Sequence, residues 1–229
     1  MVSGIYRETI GAESYYLIDG DRKDDSFEFD WHRIYYSELG LGEFGASIYS
    51  ARGSLLGVCV NGTVALGRHI MRSRSLTNVS IRANSLQYKL TRVDDGIQIE
   101  LSWLTFSPKS INVESEAGRV SQITFGSPHI LIESSDVLAL DVILEGREIV
   151  RKLGYVGGAN VHFFQFVDAD TIVARTIELG KRLEAPSSGA GAILISHVTS
   201  SRRGRLSNRI KYADGTLYSI KDDSLRVSC

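Results

Sequence analysis

The chain has 229 residues, of which 43% are hydrophobic and 23% are charged, a composition typical of a soluble globular protein with room for one large domain or two small ones. Its 26 basic and 27 acidic residues leave a formal net charge of -1, which argues against nucleic acid or an anionic membrane as a partner. No apolar run approaches the roughly 20 residues that span a bilayer, and residues 1–4 carry no signal-peptide pattern. Because Cys59 and Cys229 are the only cysteines, we expect no disulfide framework and a cytoplasmic location.

Strand patterns dominate the sequence. Short apolar or β-branched runs, several of them bounded by turn residues, predict most of the regular structure. In chain order, the predicted strands cover residues 15–18, 43–49, 98–104, 122–125, 130–132, 160–167 and 171–177.

Two glycine-bearing segments predict buried helices. One helix is expected over about residues 62–72 and another over about residues 189–198. Both are apolar nearly all round, which is typical of a helix inside a core. Each follows a short polar segment, at residues 59–62 and 187–190. A third, weaker helix pattern covers residues 138–153.

The predicted elements form two halves with the same layout. In each half, strands are followed by a glycine-bearing turn that opens a buried helix. We place the boundary in the polar stretch 115–119, which gives an N-terminal domain of residues 1–116 and a C-terminal domain of residues 117–229. The likeness is one of layout, since the sequence contains no exact repeat.

Two helix starts that face each other would make an anion site. The first N–H groups of a helix have no partner within it, and together with the helix dipole they attract a carboxylate. Glycine lets a ligand approach the backbone closely. Asn61 and Gly62 in one start, with Gly189 and Ala190 in the other, could therefore hold one amino-acid carboxylate. They would also stabilise the negative charge that develops as an α-proton leaves.

Cys59 directly precedes the first helix start, where a thiolate would be favoured and could act as a base. The alternative is that Cys59 is a small buried hydrophobic residue. Asn61 either donates to a carboxylate or caps the helix that follows. No set of His, Cys, Asp and Glu residues has metal-ligand spacing, so no metal site is expected.

Eight segments, in order, resemble motifs of the diaminopimelate epimerase family, a group of cofactor-independent amino-acid racemases and epimerases. They are GAESYYLID at 11–19, GLGEFG at 40–45, YSARGS at 49–54, CVNG at 59–62, GSPH at 126–129, GANVHF at 158–163, ELG at 178–180 and SGAGA at 188–192. The resemblance implies an α/β (α+β) fold of two pseudo-symmetric domains, each a curled, mostly antiparallel sheet around a central helix. It implies an active site between the domains, no cofactor, and Cys59 as a catalytic base. It also implies that Glu178 faces the substrate ammonium, although a carboxylate at a strand end is otherwise usually solvated.

The second catalytic cysteine of that family is matched here by serine. Ser188 fits the Gly-Ala-Gly-Ala that follows it, whereas Ser187 fits the spacing from Glu178 better, and the sequence leaves both open. A serine hydroxyl is a far weaker base than a thiolate near neutral pH, and no His or Asp adjoins either serine in the sequence.

The positions that the resemblance assigns to the far end of diaminopimelate have also changed. Ser50 and Ser127 stand where the family has asparagine, and Leu179 stands where it has the arginine that grips the distal carboxylate. Glu13 also replaces an asparagine near the pocket mouth, while Asn160 is kept. Loss of a guanidinium is not conservative where a carboxylate must be bound. We therefore expect a smaller, less acidic or cationic substrate, for example histidine, which relatives in the superfamily racemise.

The leading hypothesis is an isomerase, independent of pyridoxal phosphate, that abstracts the α-proton of a small amino acid with Cys59 as base. A one-base dehydratase or isomerase of an amino-acid derivative is the alternative, because elimination needs proton loss from one face only. A catalytically inactive carboxylate-binding relative and a structural subunit fit the same features, since fold does not determine function. The expected partners are a small amino acid and, in a homodimer, a second copy of the chain.

Overall fold

The computed structural model describes residues 4–20, 31–84, 86–101, 114–115, 118–178, 184–203 and 207–228. Four predictions involve residues outside these ranges. They are the domain boundary between residues 116 and 117, the end of the strand predicted at 98–104, the role of Leu179, and the unpaired state of Cys229.

In the described residues of the first part of the chain, four strands are followed by a buried helix and three further strands. Its elements are β1 (Gly4–Ile10), β2 (Glu13–Asp19), β3 (His32–Gly40), β4 (Glu43–Tyr49), α1 (Val60–Ser73), β5 (Asn78–Ala83), β6 (Leu86–Val93) and β7 (Gly96–Glu100).

The second part repeats this order and adds a helix between its early strands. Its elements are β8 (Glu114–Ser115), β9 (Gly118–Phe125), β10 (Ser127–Glu133), α2 (Val142–Lys152), β11 (Asn160–Phe166), β12 (Thr171–Ile177), β13 (Glu184–Ala185), α3 (Gly189–Arg203), β14 (Ser207–Lys211), β15 (Leu217–Lys221) and β16 (Ser224–Ser228).

The strands form one 16-stranded mixed sheet. Its order is β1-β2-β3-β4-β5-β6-β7-β16-β15-β14-β12-β11-β10-β9-β8, with β13 paired to β12 off this path. Neighbours are antiparallel except for the parallel pairs β2–β3, β4–β5, β10–β11 and β12–β14. A parallel pair needs a crossover connection, and α1 supplies it between β4 and β5 as α3 does between β12 and β14. The expected pseudo-symmetric α/β architecture is confirmed.

The two strand runs join at β7 and β16. These strands are antiparallel, with Leu225 opposite Ile99 and Val227 opposite Ile97. All four side chains are buried. The last strand of the second run therefore continues the sheet of the first run.

The helices match their predictions in kind and differ at their ends. The helix predicted at 62–72 spans Val60–Ser73, and the one predicted at 189–198 starts at Gly189 but continues to Arg203. The weaker pattern at 138–153 yields the shorter α2, which begins after Asp141. It starts late because the Asp136 carboxylate accepts the N–H groups of residues 138 and 139 in a turn, and Asp141 then caps the helix.

Two apolar clusters form the interior. The larger collects side chains of α1 and α3 together with strands of both runs. The smaller lies under α2, where Val142 and Ile149 pack with Val161 and Phe163. Burial of α1 and α3 in the larger cluster agrees with their apolar character, and it places both helix starts inside the molecule. No helix within the described ranges is long and apolar enough to cross a membrane.

Candidate active site

Cys59 is the N-cap residue of α1. Its backbone is extended, with φ -145° and ψ 90°, and its carbonyl accepts the first intrahelical bond from the Thr63 N–H at 3.0 Å. Its half-buried side chain packs against the larger core. The sulfur accepts the N–H of Gly62 and contacts the Tyr15 hydroxyl. Substituting Gly62 would disturb this arrangement, because a Cβ there would lie 3.0 Å from the sulfur.

Ser188 holds the matching position before α3. Its hydroxyl oxygen accepts the Gly191 N–H at 3.0 Å, and its carbonyl accepts the Ala192 N–H at 2.9 Å. Ser188 is thus the residue that caps α3, as Cys59 precedes α1. The neighbouring Ser187 is fully buried, and its hydroxyl oxygen lies 3.3 Å from the Asn61 amide nitrogen.

The two helix starts are in direct contact. A Cβ added to Gly189 would lie 2.7 Å from the Asn61 Oδ1 and from a methyl carbon of Val60. Only glycine allows α3 to approach the first turn of α1 this closely. The structure therefore places Asn61 beside Ser187 and Gly189, so the segments that carry Cys59 and Ser188 adjoin each other.

Asn61 is held by hydrogen bonds on both of its amide atoms. Its Nδ2 donates to Glu13 at 3.2 Å as well as to Ser187, and its Oδ1 accepts the hydroxyl of Tyr218 at 2.7 Å. The Tyr218 hydroxyl is also 3.2 Å from the Ser187 hydroxyl oxygen. These bonds link α1, β2, β15 and the segment before α3, so Asn61 makes contacts beyond those of a helix cap.

Glu13 is a buried carboxylate surrounded by donors. Its Oε2 accepts a short hydrogen bond from the Tyr15 hydroxyl in addition to the Asn61 amide, and its Oε1 lies 3.2 Å from the His32 Nε2. The parallel pairing of β2 and β3 sets Tyr15 opposite His32, and their rings stack with centroids 5.6 Å apart. Glu13 therefore occupies the interior of the site and not only its mouth.

Burial and negative neighbours keep the Cys59 thiol protonated. Burial, followed by the carboxylates of Glu13 and Glu178, raises its pKa to about 12, which outweighs the Gly62 N–H and the Tyr15 hydroxyl. The expectation that the helix start favours the thiolate is therefore wrong. Desolvation disfavours the charged form more strongly than one N–H donor favours it.

Glu13, His32 and Glu178 form a small cluster suited to a cation. One ligand atom from each lies within 4.8 Å of the other two. Residues so far apart in sequence show no metal-ligand spacing, which is why the cluster was not predicted. Two carboxylates beside a neutral thiol form a site that favours a positive group.

Ser127 and Asn160 meet at a second group of polar side chains. The Asn160 Nδ2 donates to the Ser127 hydroxyl at 2.9 Å, and the buried His129 Nε2 lies 3.2 Å from that hydroxyl. The loop that leads to Cys59 packs on the turn before Ser127, since a Cβ at Gly57 would lie 3.1 Å from the Gly126 carbonyl oxygen. Both predicted residues thus border the segment that carries the thiol.

Ser50 has a local role. Its hydroxyl oxygen accepts the Ser54 N–H at 3.1 Å and closes the turn after β4. Ala190, in the first turn of α3, is half-buried against the larger core. Among the described residues, the Ser50 hydroxyl forms no hydrogen bond with Cys59 or Glu13.

The chain is similar in sequence to known epimerases, although no family model matches it. The diaminopimelate epimerase of Thermotoga maritima is 27% identical over 200 residues, which cover 85% of this chain and 79% of that protein. The fold is that of a Bacillus anthracis phenazine biosynthesis protein of the PhzF family, with a TM-score of 0.69 at 12% identity over 97% of this chain and 93% of that one. It is also that of a hydroxyproline epimerase from Agrobacterium vitis, with a TM-score of 0.65 at 12% identity over 99% and 89% of the chains.

The sequence similarity and the shared fold support a relationship to the diaminopimelate epimerase-like superfamily. These relatives are epimerase-type enzymes, which supports an isomerase-type activity for the chain. The Agrobacterium vitis structure contains bound trans-4-hydroxy-L-proline, an amino-acid ligand.

Two residues of the candidate site were not predicted. His32 lies outside the strands predicted from the sequence, and it reaches Glu13 only through the pairing of β2 with β3. Tyr218 lies on β15, far along the chain from Asn61. An aromatic hydroxyl at an inward strand position was the only available signal, and the sequence contains 10 tyrosines.

Proposed function

We propose that this chain is a cofactor-independent amino-acid racemase or epimerase that removes the α-proton of a small amino acid other than diaminopimelate, with Cys59 as the base. The observation that supports this most is the contact between the two helix starts, with Cys59 before one and Ser188 before the other. Removal of an α-proton requires a base close to the site that binds the substrate carboxylate.

The substrate carboxylate would bind to the first N–H groups of α1 and α3. Ser188 already accepts the N–H groups of Gly191 and Ala192, so the earlier donors of each helix are the ones directed at a ligand. Fixed N–H donors also stabilise the enolate-like charge that follows proton loss. Gly62 and Gly189 let the ligand approach the backbone.

The substrate ammonium would lie between Glu13 and Glu178 and would activate the thiol. Burial and these carboxylates raise the pKa of Cys59. A bound ammonium offsets their charge and so lowers the pKa of the thiol. The base is then formed only when an amino acid is present.

The same carboxylates argue for a neutral or cationic side chain on the substrate. A second substrate carboxylate near Glu13 would be repelled. Leu179, in the position that resembles the family's distal arginine, offers no charge to hold one. Histidine fits this class, because its imidazole can donate to a carboxylate.

We assign Ser188 to the position of the second catalytic cysteine. Its place at the start of α3 supports this choice over Ser187, whose hydroxyl lies beside Asn61 and Tyr218. The Ser188 oxygen already serves as a helix cap, which favours a second candidate function. In that candidate, Cys59 alone removes the proton and a leaving group departs, as in a one-base dehydratase.

The test is α-proton exchange in D2O, followed by NMR, with L-histidine, the other standard amino acids and hydroxyproline. We expect exchange with at least one amino acid that has a neutral or cationic side chain, and none with diaminopimelate. Loss of α-proton signal with inversion identifies a racemase or epimerase, whereas formation of a keto or unsaturated product identifies the one-base reaction.

Cys59→Ala should abolish exchange, while Cys229→Ser, which alters the chain's other cysteine, should leave it unchanged. If no amino acid exchanges but calorimetry detects amino-acid binding that survives Cys59→Ala, the protein is a carboxylate-binding relative and the proposed reaction is wrong.

A further inference from the structure

A line of buried polar side chains connects β10 to the first turn of α3. The His129 Nδ1 is 2.8 Å from the His162 Nε2, and the His162 Nδ1 is 2.9 Å from the Thr176 hydroxyl oxygen. The Tyr212 hydroxyl lies 3.4 Å from Thr176 and donates to the Ser188 carbonyl at 3.2 Å. His162 and Thr176 are fully buried.

Both imidazoles are neutral at physiological pH. Burial lowers the pKa of His129 to about 4 and holds the pKa of His162 well below its usual range, and the neighbouring ring disfavours a charge on His162 further. The rings stack with centroids 5.1 Å apart and planes 9° from parallel. Each imidazole therefore carries a single N–H.

The number of polar hydrogens in the line shows that one donor–acceptor contact has no hydrogen to form a hydrogen bond. The line ends in two carbonyls, which only accept, that of Phe125, 3.2 Å from the His129 Nε2, and that of Ser188. The Ser127 hydroxyl is also 3.2 Å from the His129 Nε2 and accepts the Asn160 amide, so we direct the His129 hydrogen at the Phe125 carbonyl. The four side chains between these carbonyls contribute four polar hydrogens in all, whereas the line has five donor–acceptor contacts. The longest contact is the 3.4 Å between the hydroxyl oxygens of Thr176 and Tyr212, and this is the contact to which we assign no hydrogen bond.

This assignment gives each bond a direction. Tyr212 donates to the Ser188 carbonyl, and Thr176 donates to the His162 Nδ1. His162 donates from Nε2 to His129, which donates from its own Nε2 to the Phe125 carbonyl. On this assignment, both histidines are Nε2–H tautomers.

His162 also fixes the helix by direct packing. A Cβ at Gly191 would lie 2.4 Å from the His162 Nδ1 and 3.0 Å from the Tyr212 hydroxyl. The first turn of α3 rests on this ring and this hydroxyl, and no residue larger than glycine fits between them.

We propose that His162 is a positioning residue, which with Tyr212 holds Ser188 and the first turn of α3 in the orientation that completes the site. The catalytic importance of this role rests on the proposed function, but the structural role is independent of it. Nothing in the line needs to titrate or to touch substrate, because its effect passes through the Ser188 backbone.

The test uses 15N NMR of histidine tautomers and amide hydrogen exchange of the protein without substrate. We expect both His129 and His162 to be neutral Nε2–H tautomers at pH 7. Tyr212→Phe should speed exchange of the Gly191 and Ala192 amides about fivefold, the effect of losing roughly one hydrogen bond. The Thr63 amide at the start of α1 should not change.

Two variant pairs serve as controls. Tyr36→Phe removes a buried hydroxyl that contacts His69 at 3.4 Å in the first half, and it should leave the α3 amides unchanged. His162→Gln can still donate to His129 and accept from Thr176, so it should preserve protection of α3, whereas His162→Leu should lose it. If His162→Leu does not fold, Tyr212→Phe against Tyr36→Phe remains decisive.

An Nδ1–H or charged His162, or equal amide protection in the Tyr212→Phe and Tyr36→Phe variants, would overturn the proposal. Because neither measurement uses substrate, that failure would leave the proton-exchange assay and the proposed function untouched. If exchange activity is present, Tyr212→Phe should lower kcat more than it raises KM, and His162→Gln should retain most of kcat.

Discussion

The chemical state of Cys59 depends on its neighbours and not on the helix start alone. The Gly62 N–H is a single favourable donor, while burial and two carboxylates oppose the thiolate. A reactive cysteine normally has an electropositive environment. On the proposed function, the substrate ammonium beside Glu13 and Glu178 would complete that environment.

The first prediction concerns alkylation of Cys59 in a Cys229→Ser background. Because the raised pKa keeps the thiol neutral, iodoacetamide at pH 8 should react at least tenfold more slowly than with the unfolded chain. The rate should rise with pH toward about 12. Glu13→Gln should speed the reaction at pH 8, and Glu145→Gln, on α2, should not. An apparent pKa at or below 9, the ordinary value of the thiol, would contradict the electrostatic account.

The second prediction concerns acid stability. The pKa of His129 falls to about 4 in the folded state from an ordinary value of 6.5, so below pH 6.5 the unfolded chain binds a proton that the folded chain does not. Stability is therefore complete above pH 6.5 and is lost as pH falls toward 4. Between pH 7 and pH 5 we expect a loss of about 2 kcal/mol from this residue. Urea unfolding at both pH values measures it, and His129→Gln should show a correspondingly smaller loss.

Residues beside a recognisable motif could be predicted from sequence, and residues brought in by sheet pairing could not. Cys59, Asn61 and Ser188 lie in glycine-bearing segments next to helix starts, so local chemistry indicated them. His32 and Tyr218 reach the site through strand register. The state of the Cys59 thiol was predicted wrongly because it depends on Glu13 and Glu178, whose distances no local pattern gives.

At the scale of elements, the site depends on how closely α1 and α3 approach. The third prediction is that Gly189→Ala forces the helix starts apart, since its Cβ would lie 2.7 Å from Asn61 and Val60. Overpacking of this kind costs about 1–3 kcal/mol, and proton exchange should fall more than tenfold. Gly157→Ala, where no atom lies within 4 Å of the added Cβ, is the control. Equal effects of the two variants on activity would mean that the contact is not needed.

The fourth prediction separates capping by Ser188 from any role in chemistry. Ser188→Ala removes the cap of α3, and Asp141→Ala removes the cap of α2. Each should lower the free energy of unfolding by about 1 kcal/mol, measured in urea. Only Ser188→Ala should also reduce the exchange rate. If both variants keep full activity, Ser188 is a structural cap and its assignment to the second catalytic position is wrong.

Elements with a clear period were predicted well. The strands at 43–49 and 171–177 are confirmed to the residue, and both buried helices are found. Among the longer strands, β1, β3, β5, β6, β14, β15 and β16 were not predicted. Of these, β5, β6, β14 and β15 carry charged or polar residues on an exposed face and rely on their neighbours for pairing. Tertiary pairing decides such strands more than propensity does.

At the scale of the whole molecule, β16 connects the two strand runs. The fifth prediction is that Leu225→Ala, at a fully buried position on β16, costs about 2–5 kcal/mol. Protection from hydrogen exchange should fall in β7 and in β15 together. Leu144→Ala, which alters an exposed residue of α2, should change stability by less than about 0.5 kcal/mol. Loss of protection confined to β15 would mean that the two runs unfold separately.

The position of β16 beside β7 also has a consequence for biosynthesis. A ribosome makes β7 long before β16, so the growing chain carries β7 with one row of backbone N–H and C=O groups unpaired while the rest of the protein is translated. Unpaired strand edges of this kind promote association with other chains. Chaperones that shield nascent chains should therefore matter more for the yield of this protein than for one whose neighbouring strands are translated in succession.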